Sequence, residues 1–130
     1  NHGHLVRPHM VESILDGHGK SIYTSSTNIL ADLTLTPSTW EILKKGLEGA
    51  VTYGTARALI LSDLTVAAKT GTAEVHPKKD THAWVVAYAP VSKPRYALSI
   101  FLEEGGSGGG KAAPLGKQIL EFLVKQEKAK

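Results

Sequence analysis

Apolar residues recur at two different periods along this chain, and the change of period marks out its elements. In "TPSTWEILKKGLEGAVTYG", Trp40, Leu43, Leu47 and Val51 fall on one helical stripe. Helix start signals precede them. Thr36 or Ser38 can cap, Pro37 suits the first turn, and Ser38-x-x-Glu41 has the form of a capping box. Gly54 is a natural terminator, and "ARALI" predicts a short second helical piece. Three strand-like runs follow: Leu64–Val75, His82–Ala89 and Arg95–Glu103. Their linkers, "HPKKDT" and "PVSKP", are short and turn-rich. That predicts an antiparallel meander, because parallel neighbours need long crossovers. "AWVVAYA" is apolar on both faces of the pleat, which predicts a central strand covered by helices on both sides. A closing helix is predicted with Leu115, Ile119, Phe122 and Leu123 as its buried stripe.

The N-terminal part is less regular. "HMVESILD" and "KSIYT" are strand-like runs separated by Gly17-His18-Gly19, a hairpin turn supplied with permissive glycines. Residues Ser25–Leu35 show no clean period and are predicted as loop. The opening "NHGH" suits a helix C-terminus, with Gly3 in the left-handed position and histidine at the negative end of the dipole. The sum is α+β: an antiparallel sheet with helices packed on it, within one domain over residues 1–130.

Composition narrows the function classes. A chain of 130 residues with 42% hydrophobic and 21% charged positions can build one core and is not disordered. The 15 Lys and Arg against 12 Asp and Glu give +3, and part of that excess lies in the tail "KQEKAK". No basic stripe is interleaved with aromatics, so no nucleic-acid partner is expected. The absence of cysteine removes disulfide and thiolate chemistry. No apolar run is long enough to span a bilayer as a helix. The opening "NHGHLVRP", without Met, suggests a piece of a longer protein.

Two candidate sites weaken on inspection. "GGSGGGK" gives Gly105-x-x-x-x-Gly110-Lys111 between a strand and a helix, close to a phosphate-binding loop. Ala112 stands where a hydroxyl should ligate magnesium, Pro114 removes an amide, and Glu103 and Glu104 would repel phosphate. The segment is therefore expected to be a flexible strand–helix connector. His2-x-His4 lacks a third ligand at a recognisable spacing, so no metal is expected.

The third candidate is stronger. Lys69 and Gly71 interrupt the apolar run "LTVAAKTGTAEVHP", and both are poor strand residues. Either the lysine guards a solvated edge, or something anionic docks there. Lys-Thr-Gly is also the third motif of serine β-lactamases and penicillin-binding proteins. Here it sits in a wider pattern: "AAKTGTAEV", a turn, "HAWVVAYAP", then "PRYALSIFLEEGGSGGGKAAP" and a terminal helix. Upstream stand "NHGHLVRPHMVESI", Trp40–Gly46 and Gly54-Thr55-Ala56. This order resembles the C-terminal part of the transpeptidase domain of class B penicillin-binding proteins, most closely the elongation type.

The resemblance implies a peptidoglycan D,D-transpeptidase of the penicillin-binding protein and serine β-lactamase fold. Its ligand would be a stem peptide ending in D-Ala-D-Ala, or a β-lactam that mimics it. It assigns substrate binding to Lys69, Thr70, Gly71 and Thr72. Lys69 would supply positive charge, the two threonine hydroxyls hydrogen bonds, Gly71 room, and the Thr72 N–H a donor to the tetrahedral oxyanion. No serine of the chain begins an S-x-x-K motif. Ser26-Thr27-Asn28 fits S-x-N but lies where the family does not carry it. The nucleophile and the true S-x-N are thus expected upstream of Asn1, leaving no catalytic residue in this chain. The resemblance further implies no metal or cofactor, a place on the outer face of the cytoplasmic membrane behind an N-terminal anchor, and partners in the cell-wall elongation machinery. The rest of the domain is a further implied partner, and without it the fragment is expected to self-associate. An oxacillinase-type serine β-lactamase and a non-catalytic β-lactam sensor are the alternatives.

Overall fold

The computed structural model describes residues 3–128, and the chain divides into two compact units, residues 1–37 and 38–130. The first unit consists of two antiparallel ribbons. β1 (His4–Val6) pairs with β4 (Ile29–Asp32), and β2 (Ser13–Leu15) pairs with β3 (Ser21–Thr24). The β2–β3 turn forms where the glycines predict it. Gly19 adopts φ 80°, and the Asp16 carboxylate accepts the N–H groups of His18 and Lys20, both at 2.9 Å.

Strand β4 corrects the loop expected over Ser25–Leu35. "ILAD" has no period of its own. It becomes a strand by pairing with β1, and the bonds Arg7 N–H to Asn28 O and Leu33 N–H to Gly3 O extend the ladder at both ends. At the chain start, Gly3 takes φ 86°, His4 opens β1 and its ring pairs with the Asp32 carboxylate. The helix end expected at "NHGH" rests on residues 1 and 2, outside the described residues.

The second unit runs α1 (Pro37–Thr52), a 3₁₀ turn (Arg57–Leu59), β5 (Ala67–Ala73), β6 (His82–Ala89), β7 (Tyr96–Leu102), a single π-helical turn (Gly108–Ala112) and α2 (Ala113–Lys128). The predicted meander is present. The sheet order is β5–β6–β7, both pairs are antiparallel, and Gly71, Trp84 and Phe101 stand in one row across it. Strand alternation then sends Thr70, Val85 and Ile100 to one face, and Lys69, Val86 and Ser99 to the other.

The core lies on the first face. There Val66, Ala68, Val85, Ala87 and Ile100 pack with Leu59, Ala112, Ala113 and Leu120, and Val51 at the end of α1 joins the same cluster. Two expectations are corrected here. First, the second face of β6 is open at Trp84 and Val86, 39% and 49% exposed, and only near Tyr88, which is half-buried beside Glu48 of α1, is it covered; helices therefore do not cover that face along its length among the described residues. Second, the buried side of α2 is Ala113, Gly116 and Leu120, while Leu115, Ile119 and Phe122 are exposed. A Cβ on Gly116 would already lie 3.0 Å from Leu59 Cδ2 and 3.5 Å from Ile100 Cδ1. Space against the sheet admits only small residues at that point, so the helix turns its larger side chains outward. In α1, likewise, the stripe is buried only at its end. Val51 is buried and Trp40 and Leu47 are half-buried, but Leu43 is exposed.

Candidate functional site on the β5 edge

Among the described residues, strand β5 pairs with β6 alone and so forms one border of its sheet. Backbone groups of such a strand point alternately toward the neighbour and away from it, and those pointing away can receive another extended chain. This answers why a lysine and a glycine interrupt an apolar run. The run is half-buried, and Lys69 and Gly71 belong to its uncovered side.

Lys69 is exposed on the open face, and its ammonium donates to the Thr70 carbonyl at 2.6 Å. That contact holds the positive charge beside the motif backbone. Gly71 stands opposite Trp84, whose Cβ would lie 3.2 Å from a Cβ built on the glycine. Trp84 in turn packs on Phe101, ring centroids 4.4 Å apart, and Phe101 meets His82 edge-on at 5.1 Å. An aromatic surface therefore flanks Gly71 on the face that bears Lys69.

The two threonines differ. Thr70 is buried on the helix-covered face, and its Oγ1 lies 2.6 Å from Thr55 Oγ1. Its hydroxyl is already paired with that of Thr55, while its main-chain groups lie on the strand edge. Thr72 is exposed, and its Oγ1 accepts the Gly108 N–H at 3.4 Å. The four motif residues are thus brought together on one edge, with Lys69 and Thr72 as its accessible polar side chains.

The glycine segment connects β7 to α2 as expected, but Gly108–Ala112 form a closely packed turn rather than a loose link. Gly108 is buried, and a Cβ there would overlap the Trp84 carbonyl and lie 2.5 Å from the Gly71 carbonyl oxygen. A Cβ on Gly109 would overlap the Thr55 carbonyl. The glycines serve close packing of backbone on backbone. Thr55, Gly108 and Gly109 escaped sequence reasoning because their partners are distant in the chain. The only local signal was the run of adjacent glycines itself.

Two other titratable groups of the second unit are shifted by their surroundings. Burial, and then the Glu48 carboxylate, push the Tyr88 hydroxyl above its usual range. The Lys79 ammonium is raised by its hydrogen bond to Glu104. Ser26 and Asn28 lie in the first unit, where Asn28 O accepts the Arg7 N–H. Among the described residues no group of three or more His, Asp or Glu side chains is arranged to hold a metal ion, and His2 lies outside them. No described helix is long and apolar enough to cross a membrane.

Comparison with known proteins settles the family. A profile of the penicillin binding protein transpeptidase domain matches residues 1–121. The chain belongs to the penicillin-binding protein transpeptidase family. It is 30% identical to the peptidoglycan D,D-transpeptidase MrdA of Haemophilus influenzae, a match covering 97% of this chain and 22% of that protein. Among solved structures, the D,D-transpeptidase domain of an Eggerthella lenta peptidoglycan glycosyltransferase superposes with TM-score 0.80 at 27% identity, covering 98% of this chain and 29% of that one. The penicillin G acyl-enzyme of Mycobacterium tuberculosis penicillin-binding protein A gives TM-score 0.80 at 27% identity, over 95% of this chain and 29% of that one. The expected α+β transpeptidase fold is therefore the fold of this segment. The chain spans less than a third of the length of each of these three proteins.

Proposed function

We propose that this chain is the substrate-binding wall of a peptidoglycan D,D-transpeptidase of the elongation type. The observation that carries the proposal is that the Lys69–Thr72 segment lies on a sheet edge that, among the described residues, is paired on one side only. A stem peptide ending in D-Ala-D-Ala is extended and carries a terminal carboxylate. Such a ligand can add to a free strand edge through main-chain hydrogen bonds. The Lys69 ammonium supplies charge toward the carboxylate, and the Thr72 hydroxyl donates to it. Gly71 lets the ligand backbone approach, Thr70 contributes main-chain groups, and the Thr72 N–H helps hold the oxyanion.

The chemistry itself needs a serine from sequence beyond these residues, since no S-x-x-K occurs in the chain. That serine attacks the penultimate D-Ala carbonyl, terminal D-Ala leaves, and the acyl group passes to the amine of a second stem. β-Lactams acylate the same serine. The reaction places the domain on the outer face of the cytoplasmic membrane, tethered by an N-terminal anchor, among the elongation machinery. Without the rest of its domain, the open apolar face around Trp84, Val86 and Phe101 favours self-association.

Intact-mass spectrometry with penicillin G tests this reading. The 130-residue chain acquires no covalent adduct, whereas the complete transpeptidase carrying this segment is acylated at one serine. Lys69→Ala in that complete protein slows acylation by about tenfold or more, the scale of one charge-assisted hydrogen bond. A stoichiometric adduct on the isolated chain, or unchanged acylation in the Lys69 variant, refutes it.

A further inference from the structure

The turn that begins at Gly108 touches the motif strand twice. It rests its backbone on the Gly71–Trp84 row, where no side chain can be inserted, and it donates the Gly108 N–H to Thr72 Oγ1. The second contact has a directional consequence. A hydroxyl oxygen that accepts a hydrogen bond from one side carries its own hydrogen elsewhere. Thr72 is exposed, so its O–H is left as a donor for a group at the strand edge. Without Gly108 the same hydroxyl would be free to turn and present a lone pair, which repels an anion.

We propose that Gly108 is a positioning residue for anion recognition at β5: its bare Cα seats the π-helical turn against Gly71 and Trp84, and its N–H fixes the Thr72 hydroxyl as a donor toward the ligand carboxylate. Three features support the assignment. Gly108 is buried although it opens a glycine-rich turn. Its clash partners are main-chain atoms of Gly71 and Trp84, which cannot rotate aside. The π-helical geometry also spaces the turn so that Ser107 Oγ accepts the Gly110 N–H, leaving Thr72 to accept that of Gly108. The inference rests on the proposed role of β5 as the substrate wall, and the experiment separates the two.

Acylation of the complete transpeptidase is measured with penicillin G and with its methyl ester, in which the carboxylate is neutral. The ratio of the two rates is the readout. Thr72→Val lowers the acid-to-ester ratio by about tenfold, the scale of a lost hydrogen bond to a charged group. Gly108→Ala lowers it to a similar extent, and the double variant lowers it no further, because both substitutions remove one interaction. Thr72→Ser keeps the oxygen and keeps the ratio. An unchanged ratio in Thr72→Val sinks the substrate-wall reading. A changed ratio in Thr72→Val with equal slowing of acid and ester in Gly108→Ala, or multiplying effects in the double variant, sinks only the positioning role. Should Gly108→Ala fail to fold, amide exchange decides. Thr72→Val speeds hydrogen exchange at the Gly108 N–H and Thr72→Ser does not; identical exchange in both overturns the proposal.

Discussion

The hydroxyl oxygens of Thr55 and Thr70 lie 2.6 Å apart, tying the turn after α1 to the middle of β5. Thr70 is the buried polar side chain of this core among the described residues, and Thr55 satisfies it. Thr70→Val preserves shape but removes the partner of Thr55, an exposed residue whose hydroxyl can turn to water. A loss of roughly 0.5–1.5 kcal/mol is expected, with Thr70→Ser costing less. Urea denaturation of the chain measures both, and equal stabilities would show that the contact contributes nothing.

Helix α2 offers a packing test. A Cβ on Gly116 would meet Leu59 Cδ2 at 3.0 Å, Ile100 Cδ1 at 3.5 Å and Leu98 Cδ1 at 3.7 Å. Gly116→Val adds further methyl groups to that contact and is expected to destabilise by roughly 1–3 kcal/mol. For Gly116→Ala, the helix-propensity gain of about 1 kcal/mol offsets the crowding, and stability stays close to wild type. A valine variant as stable as the alanine variant would mean that Leu59 gives way freely.

The end of α2 has an acid-sensitive tie. Lys128 Nζ lies 2.8 Å from Asp63 Oδ2. That hydrogen bond first, then one from Ser62 and the charge of Lys128, hold the Asp63 carboxyl below its ordinary value of 3.8. A carboxylate depressed in the folded state stabilises fully above its unfolded pKa and loses that contribution as pH falls through the folded value. The tie therefore weakens below about pH 4. Lys128→Ala should raise the Asp63 titration midpoint followed by NMR; an unmoved midpoint would count against the pair.

Nucleotide binding is not expected at the glycine turn. The Gly108 N–H is used by Thr72, the Gly110 N–H by Ser107 Oγ at 3.1 Å, and the Lys111 N–H by Ser107 O at 2.9 Å. Amides that would cradle a phosphate are already engaged. Magnesium-ATP should leave the melting temperature where it is, and a rise of several degrees would revive a phosphate site.

Much of the second unit was legible from local pattern. The extent of α1, the bounds of β6 and the meander order depend on neighbours a few residues away. Strand β4 was not legible, because its conformation is supplied by β1, with Asp32 opposite His4. The phase of α2 misled for a related reason. Leu115, Ile119 and Phe122 are large and apolar, yet over its first turns α2 has room against the sheet only for Ala113 and Gly116, and that phase buries Leu120 instead. At the site, Lys69 and Gly71 announced themselves as residues foreign to a strand. Their supports did not. Thr55 is 15 positions from Thr70 and Gly108 is 36 from Thr72, and no local rule links residues so far apart.

Because successive residues of β5 face opposite ways, its placement along β6 decides what the edge offers. A slide by one position would carry Lys69 into the core and turn Thr70 out to solvent, while every rung of the ladder could still form. The Thr55–Thr70 contact and the saddle under Gly108 fit one register only, so they act as a vernier on the strand. Inserting or deleting a single residue between Val66 and Lys69 would thus turn the site inside out without breaking the sheet.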